Sequence, residues 1–253
     1  MSRLMLALAT TTLMSAFNAS AEDARIYLMT VSPMTMDTPD RKGIVGDIVL
    51  EAIKRAGLTP HLVVVPSPRA IAAVPLEHDT LIIPLARLKE REANFTWIAP
   101  IVKVQRAFFT LGKKVDSFEQ AAAEFKIVGV SRGTAGVNIL LEHGFTRDHI
   151  AEVNQGVTAP RMLVAKRFDA WYNLVSESKD LLTQVDGGNR VVKGAILGDT
   201  YNYLACSKAC DPALVAKLTA ALKAMAADGV IKRIAARYPD AEGVQTVTAA
   251  ELK

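Results

Sequence analysis

The chain is poor in the residues from which catalytic and metal centres are built. It has four histidines and two cysteines in 253 residues. His61, His78, His143 and His149 are scattered, with no H-E-x-x-H pair to hold zinc. His143 and His149 lie six apart, a spacing that does not stack them on one helical face. Cys206 and Cys210 have no histidine beside them to complete a tetrahedral zinc site. Neither a Walker A sequence nor G-x-G-x-x-G occurs, so no nucleotide cofactor is implied. The formal net charge is only +4, and no basic run carries interleaved aromatics, which argues against nucleic acid as a partner. No segment approaches the roughly 20 apolar residues that a membrane span needs.

One catalytic pattern is present. Gly129–Val130–Ser131–Arg132–Gly133 fits G-x-S-x-G and falls between an expected strand and an expected helix, where a nucleophile elbow belongs. A hydrolase of that type needs an acid and then a histidine later in the chain. After Ser131 only His143 and His149 follow, one helix away or directly after Asp148. Neither arrangement supplies a triad, so Ser131 is expected to cap a helix and bind ligand. No general acid, base, nucleophile, metal or cofactor is assigned, and the chain is not expected to be an enzyme.

What the chain does have is an exported, apolar-rich α/β pattern. Arg3, the uncharged stretch Leu4 to Phe17, and Ala19–Ser20–Ala21 form the three regions of a secretory leader over residues 1–21. No cysteine follows the cleavage point, so the expected product is a soluble periplasmic protein without a lipid anchor. Half of the residues are hydrophobic, enough at this length for one large core or two smaller ones. In an exported chain Cys206 and Cys210 are permitted to form a disulfide. Two part-buried thiols and a redox pair are the alternatives.

Short apolar runs alternate with amphipathic ones. Arg25 to Val31, His61 to Val65 and Thr80 to Leu85 read as strands. Between them, Gly46 to Ala56 carries apolar residues on one helical face, with Asp47 in its first turn, Lys54–Arg55 in its last and Gly57 ending it. A β-α-β-α-β order predicts a parallel sheet with right-handed crossovers. A second such unit runs from Lys126 to Tyr172. The segment after Asp211, with Pro212 at its first position, is a long closing helix.

Ligands in open α/β sheets sit beyond the carboxyl ends of strands. Arg69 follows the second strand there, and Arg87 and Arg91 follow the third. Arginine is the side chain best shaped to hold a carboxylate with two parallel hydrogen bonds. The turn with Ser131, Arg132 and Thr134 ends the first strand of the second unit and opens a helix, another place for an anion.

Ala86–Arg87, Arg91–Glu92 and Phe95–Thr96–Trp97 with Pro100 resemble a segment of the periplasmic solute-binding proteins of the polar amino acid type. These are the bacterial extracellular solute-binding proteins of family 3, receptors of ABC importers. GIVGDIVLEAIKRAG, VSRGTAG, AKRFDAWY and the stretch from Leu204 to Tyr238 are similar to further family segments, in the family's order.

The resemblance implies a two-lobed periplasmic-binding-protein fold of type II. Each lobe would be a mostly parallel α/β sheet flanked by helices, with a hinge between lobes. Residues 22–108 would form one lobe, to which residues 205–253 return, and residues 109–204 the other. The implied partners are a small solute and the membrane permease of an ABC importer, and a monomer is expected. By resemblance Arg91 grips the solute's carboxylate, and Thr134 and Ala135 complete that grip.

The family's acid for the solute's ammonium is replaced here. Tyr172, Asn173 and Leu174 stand in its place, and no acid follows until Glu177. Asn173 is therefore the candidate at that position. The expected ligand is an anionic, carboxylate-bearing solute rather than a plain α-amino acid, held by Arg91 and Arg87 with Arg69 and Arg132 in support. An exported sensor or accessory protein without transport is the other reading.

Overall fold

The computed structural model describes residues 23–252. The expected leader lies outside them. In the first lobe, β1 (Asp23–Leu28) pairs in parallel with β2 (Thr59–Val64) on one side and β3 (Leu81–Ala86) on the other. The crossover between β1 and β2 is α1 (Gly43–Arg55), which buries Ile44, Val45, Ile48, Val49, Ala52 and Ile53 against the sheet. This helix starts earlier than the apolar pattern predicts, so Asp47 falls in its second turn. Gly43 opens it at φ +85°, and a Cβ there would run into the Met34 carbonyl. Only glycine turns the chain that tightly. The crossover between β2 and β3 carries α2 (Ser67–Ala73), with proline in its first turn.

The second lobe repeats the arrangement. Its β5 (Val128–Ser131) pairs in parallel with β6 (Ile150–Val153) and β7 (Ala170–Leu174). Its helices are α3 (Phe118–Glu124), α4 (Gly136–Glu142), α5 (Thr158–Val164) and α6 (Val175–Thr183). Asp169 accepts hydrogen bonds from the backbone N–H groups of Lys126 and Ile127 (2.8 and 3.0 Å), which fixes the edge of β5 beside β7.

Two long strands join the lobes. β4 (Phe95–Leu111) and β8 (Val191–Ser207) have 17 residues each and pair antiparallel from Phe95↔Ser207 to Leu111↔Val191. Sequence periodicity marks only part of each, because the register shifts repeatedly between Trp97 and Phe109 and breaks the alternation. β4 continues onto β7, and β8 continues onto β3, so one sheet runs β2-β1-β3-β8-β4-β7-β5-β6 through both lobes. Two apolar cores flank the first half, one centred on α1 and one under α2. Two more flank the second, around Phe108 and around Trp171.

The closing helices α7 (Pro212–Ala227) and α8 (Val230–Ala235) return to α1, placing Leu218, Leu222, Met225 and Ile231 in its core. The Asp211 carboxylate caps α7 by accepting from Ala213 N–H at 2.9 Å. Cys206 and Cys210, at the end of β8 and just before α7, form a disulfide. The last strand, β9 (Val244–Thr246), pairs with β4. No helix among the described residues is long and apolar enough to cross a membrane.

Candidate functional site

The carboxyl ends of β1, β3, β5 and β7 converge on a cleft between the lobes, with the hinge strands as its floor. Its walls include Met29, Met34, Ser67, Ala86 and Arg91 from the first lobe. Gly133, Thr134, Ala135, Gln155, Leu174 and Glu177 come from the second, and Arg106 and Asn202 from the hinge strands. The lobes are closed on it, leaving about 50 Å³. Three hydrogen bonds cross the mouth. Ser67 Oγ donates to Gln155 Oε1 at 2.8 Å, Arg91 Nη2 donates to the Gly133 carbonyl at 2.9 Å, and Asn138 Nδ2 donates to Glu90.

Arg91 leaves β3 through a single helical turn, Lys89–Arg91, and folds back over the strand end. Its Nη1 donates to the Ala86 carbonyl at 3.2 Å, and 9% of its surface is exposed. Burial lowers its pKa from the usual arginine value, yet the guanidinium keeps its charge. Opposite it, Gly133 stands at φ +73°, and Thr134 Oγ1 donates to the Ser131 carbonyl at 2.7 Å. That turn presents backbone groups of the second lobe to Arg91. Ala135 is buried at the start of α4.

The other expected site residues are not on the cleft wall. Arg87 is spent elsewhere. Its Nε and Nη2 bind both oxygens of Glu92 (2.7 and 3.0 Å), and its guanidinium lies 5.5 Å from the ring centres of Trp97 and Tyr203. The Glu92 contact raises its pKa further. Arg69 and Arg132 are exposed, and Arg132 Nη2 reaches only the Glu152 carbonyl at 3.4 Å. Ser131 is buried behind the turn. Its neighbour Gly129 is required by packing, since a Cβ there would stand 2.5 Å from Phe168 Cζ. Asn173 is buried one layer behind the cleft, where Nδ2 donates to Glu177 Oε2 and Ser178 Oγ, both at 3.1 Å.

Two charged wall residues go beyond the sequence expectation. Glu177 is far from Asp169 along the chain, but β7 ends at Leu174 and turns straight into α6. The first turn of that helix therefore swings Glu177 back over the strand end. It is 5% exposed, and burial raises its pKa above the usual carboxylate value, with Asn173 and Arg106 opposing. Arg106 sits in the middle of β4, opposite Leu174, and is 4% exposed. Its Nη1 donates to Thr200 Oγ1 at 2.6 Å. The signal for it was an arginine inside an apolar strand run, since an interior charge must be paired or used. Among the described residues, no group of three or more His, Cys, Asp or Glu could hold a metal ion.

A model of the bacterial extracellular solute-binding proteins, family 3, matches residues 26–241. Among solved structures, ArtJ from the thermophilic bacterium Geobacillus stearothermophilus, an arginine-, lysine-, histidine-binding protein, is 16% identical with a TM-score of 0.75. The match covers 92% of this chain and 99% of that one. A histidine kinase sensor domain with similarity to periplasmic binding proteins is 15% identical with a TM-score of 0.76, covering 90% and 98%. EhuB in complex with hydroxyectoine is 23% identical with a TM-score of 0.70, covering 86% and 88%. At these identities the likeness is one of fold. No curated protein matches the chain.

Proposed function

The chain belongs to the bacterial extracellular solute-binding proteins, family 3, and we propose that it captures a small carboxylate-bearing solute between its lobes in the periplasm. It then delivers that solute to the permease of an ABC importer. The observation that carries this reading is the position of Arg91. It is a buried guanidinium at the carboxyl end of β3, with donors aimed at the lobe interface. A carboxylate there accepts charge-assisted hydrogen bonds in a site closed to water, where such bonds are strongest.

The mechanism is ligand-driven closure. The jaws, divided in this reading at 108/109 and 204/205, rotate about β4 and β8. A solute that touches Arg91 on one side and the Thr134–Ala135 turn on the other binds the closed form better than the open one, and so shifts the population. In this reading the protein is a monomer exported by way of its leader.

The likeness to a sensor domain over nearly its whole length supports a second reading. In it the closed form signals to a membrane partner without transport. Genes for a permease and an ATPase beside this one favour the first reading, and a kinase gene the second.

A thermal-shift screen of the mature protein tests the ligand class. Its panel holds amino acids, mono- and dicarboxylates, keto acids, sulfonates and cationic amines. A ligand of the folded state alone stabilises it by about 2.7 kcal/mol at a hundredfold excess over Kd. A shift with carboxylates is expected. A shift confined to cationic amines would overturn the reading.

A further inference from the structure

The hinge floor of the cleft holds a second arginine that the carboxylate grip at Arg91 does not use. Arg106 is 4% exposed and forms part of the cleft wall. A guanidinium has five N–H donors, and its hydrogen bond here is a single one, from Nη1 to the neutral hydroxyl of Thr200. Glu177 is the one carboxylate on the same wall among the described residues. It makes no hydrogen bond or close ion pair with Arg106: its Oε2 accepts from Asn173, although the charges of the two groups favour one another at longer range. Arg91 donates once from each terminal nitrogen to a carbonyl, which leaves further N–H groups of its five for a carboxylate. The cleft thus encloses two guanidiniums and one carboxyl group, with no close ion pair among them. An unneutralised interior charge is costly, and a bound anion removes that cost.

We propose that Arg106 is a second anion-binding arginine, and that the solute is a compact dicarboxylate with one carboxylate on Arg91 and the other on Arg106. This rests on the carboxylate reading above and names its substrate class. A short chain between the two carboxylates suits the small volume of the closed cleft. The apolar walls, Met29, Met34, Leu85 and Leu174, suit the methylenes between its two carboxylates.

The test compares pairs with the same carbon count that differ by one carboxylate: succinate with butyrate, malonate with propionate, and L-aspartate with L-2-aminobutyrate. Affinities are read by calorimetry on the mature protein. The dicarboxylate of at least one pair is expected to bind about tenfold tighter or more than its partner, the scale of charged hydrogen bonds. Arg106→Gln is expected to erase that preference, and Arg106→Lys, which keeps the charge without the fork, to retain part of it. The lysine variant serves if the glutamine variant does not fold.

A purely structural Arg106 would lower the melting temperature and leave the preference intact, which would overturn the proposal. So would monocarboxylates binding as tightly as dicarboxylates in wild type, with the carboxylate reading left standing. Binding of no carboxylate of either kind would overturn that reading and this proposal together.

Discussion

Arg91 Nη2 lies 2.9 Å from the carbonyl oxygen of Gly133, so the guanidinium at the end of β3 is also a strap between the two lobes. Ligand grip and lobe closure therefore meet in one side chain. A solute carboxylate at Arg91 would sit against the Gly133–Ala135 turn as well, touching both jaws at once. That double contact is the differential interaction that any ligand-driven closure requires.

Arg91→Ala is expected to weaken binding of the solute found in the screen by roughly 10- to 100-fold, the loss of charged hydrogen bonds worth about 1.5–3 kcal/mol. Calorimetry measures it. Arg87→Ala is the matched control. Its guanidinium serves Glu92, Trp97 and Tyr203 outside the cleft, so affinity is expected to be unchanged, and only stability to fall, by the about 0–1 kcal/mol of an exposed ion pair. Equal losses in both variants would remove Arg91 from the grip.

The bond from Ser67 to Gln155 joins lobe to lobe beside the ligand space. Gln155→Ala removes a neutral hydrogen bond worth about 1 kcal/mol from the closed state alone. The expected result is a several-fold rise in Kd and a larger radius of gyration without ligand by small-angle scattering. An unchanged radius with unchanged affinity would show that this contact does not bias closure.

Glu177 gives a pH signature. Its folded-state pKa is raised, chiefly by burial, with Asn173 and Arg106 lowering it and Asp180 raising it. Charging it then costs more in the folded protein than in the unfolded one. That cost is absent below the ordinary carboxylate range, grows as pH rises through it, and is complete above the folded pKa. Glu177→Gln keeps the oxygen that accepts from Asn173 and removes the charge. It is expected to raise the melting temperature at pH 7 and leave it unchanged near pH 3. A variant less stable at pH 7 would mean that the ionised carboxylate is a stabilising partner of Arg106.

The Cys206–Cys210 bridge closes a very short ring between β8 and α7. In the loop-entropy model such a ring contributes about 2 kcal/mol. Replacing both cysteines by alanine is expected to lower the melting temperature by about 4–8 °C at this chain length. Ligand affinity should persist, since the bridge lies on the first lobe away from the cleft. A loss of affinity without a loss of stability would contradict this placement.

The sequence alone carried the architecture. The apolar runs around Ile26, Val63 and Ile83, the helical face of α1 and the Asp211–Pro212 start of α7 are local signals, and local spacing decides them. It also pointed to Arg91, because an arginine beyond the carboxyl end of a buried strand is legible without coordinates.

Only the tertiary structure separated Arg91 from Arg87, four residues apart with the same local setting. The Glu92 carboxylate and the Trp97 and Tyr203 rings take Arg87, and Tyr203 comes from a strand more than a hundred residues away. The full lengths of β4 and β8 were hidden by register shifts that break period-two alternation. Arg106 and Glu177 reach the cleft through those hinge strands and through the turn from β7 into α6. Strand periodicity records which face a residue takes, whereas the meeting of two lobes is fixed by long-range pairing that no window of sequence contains.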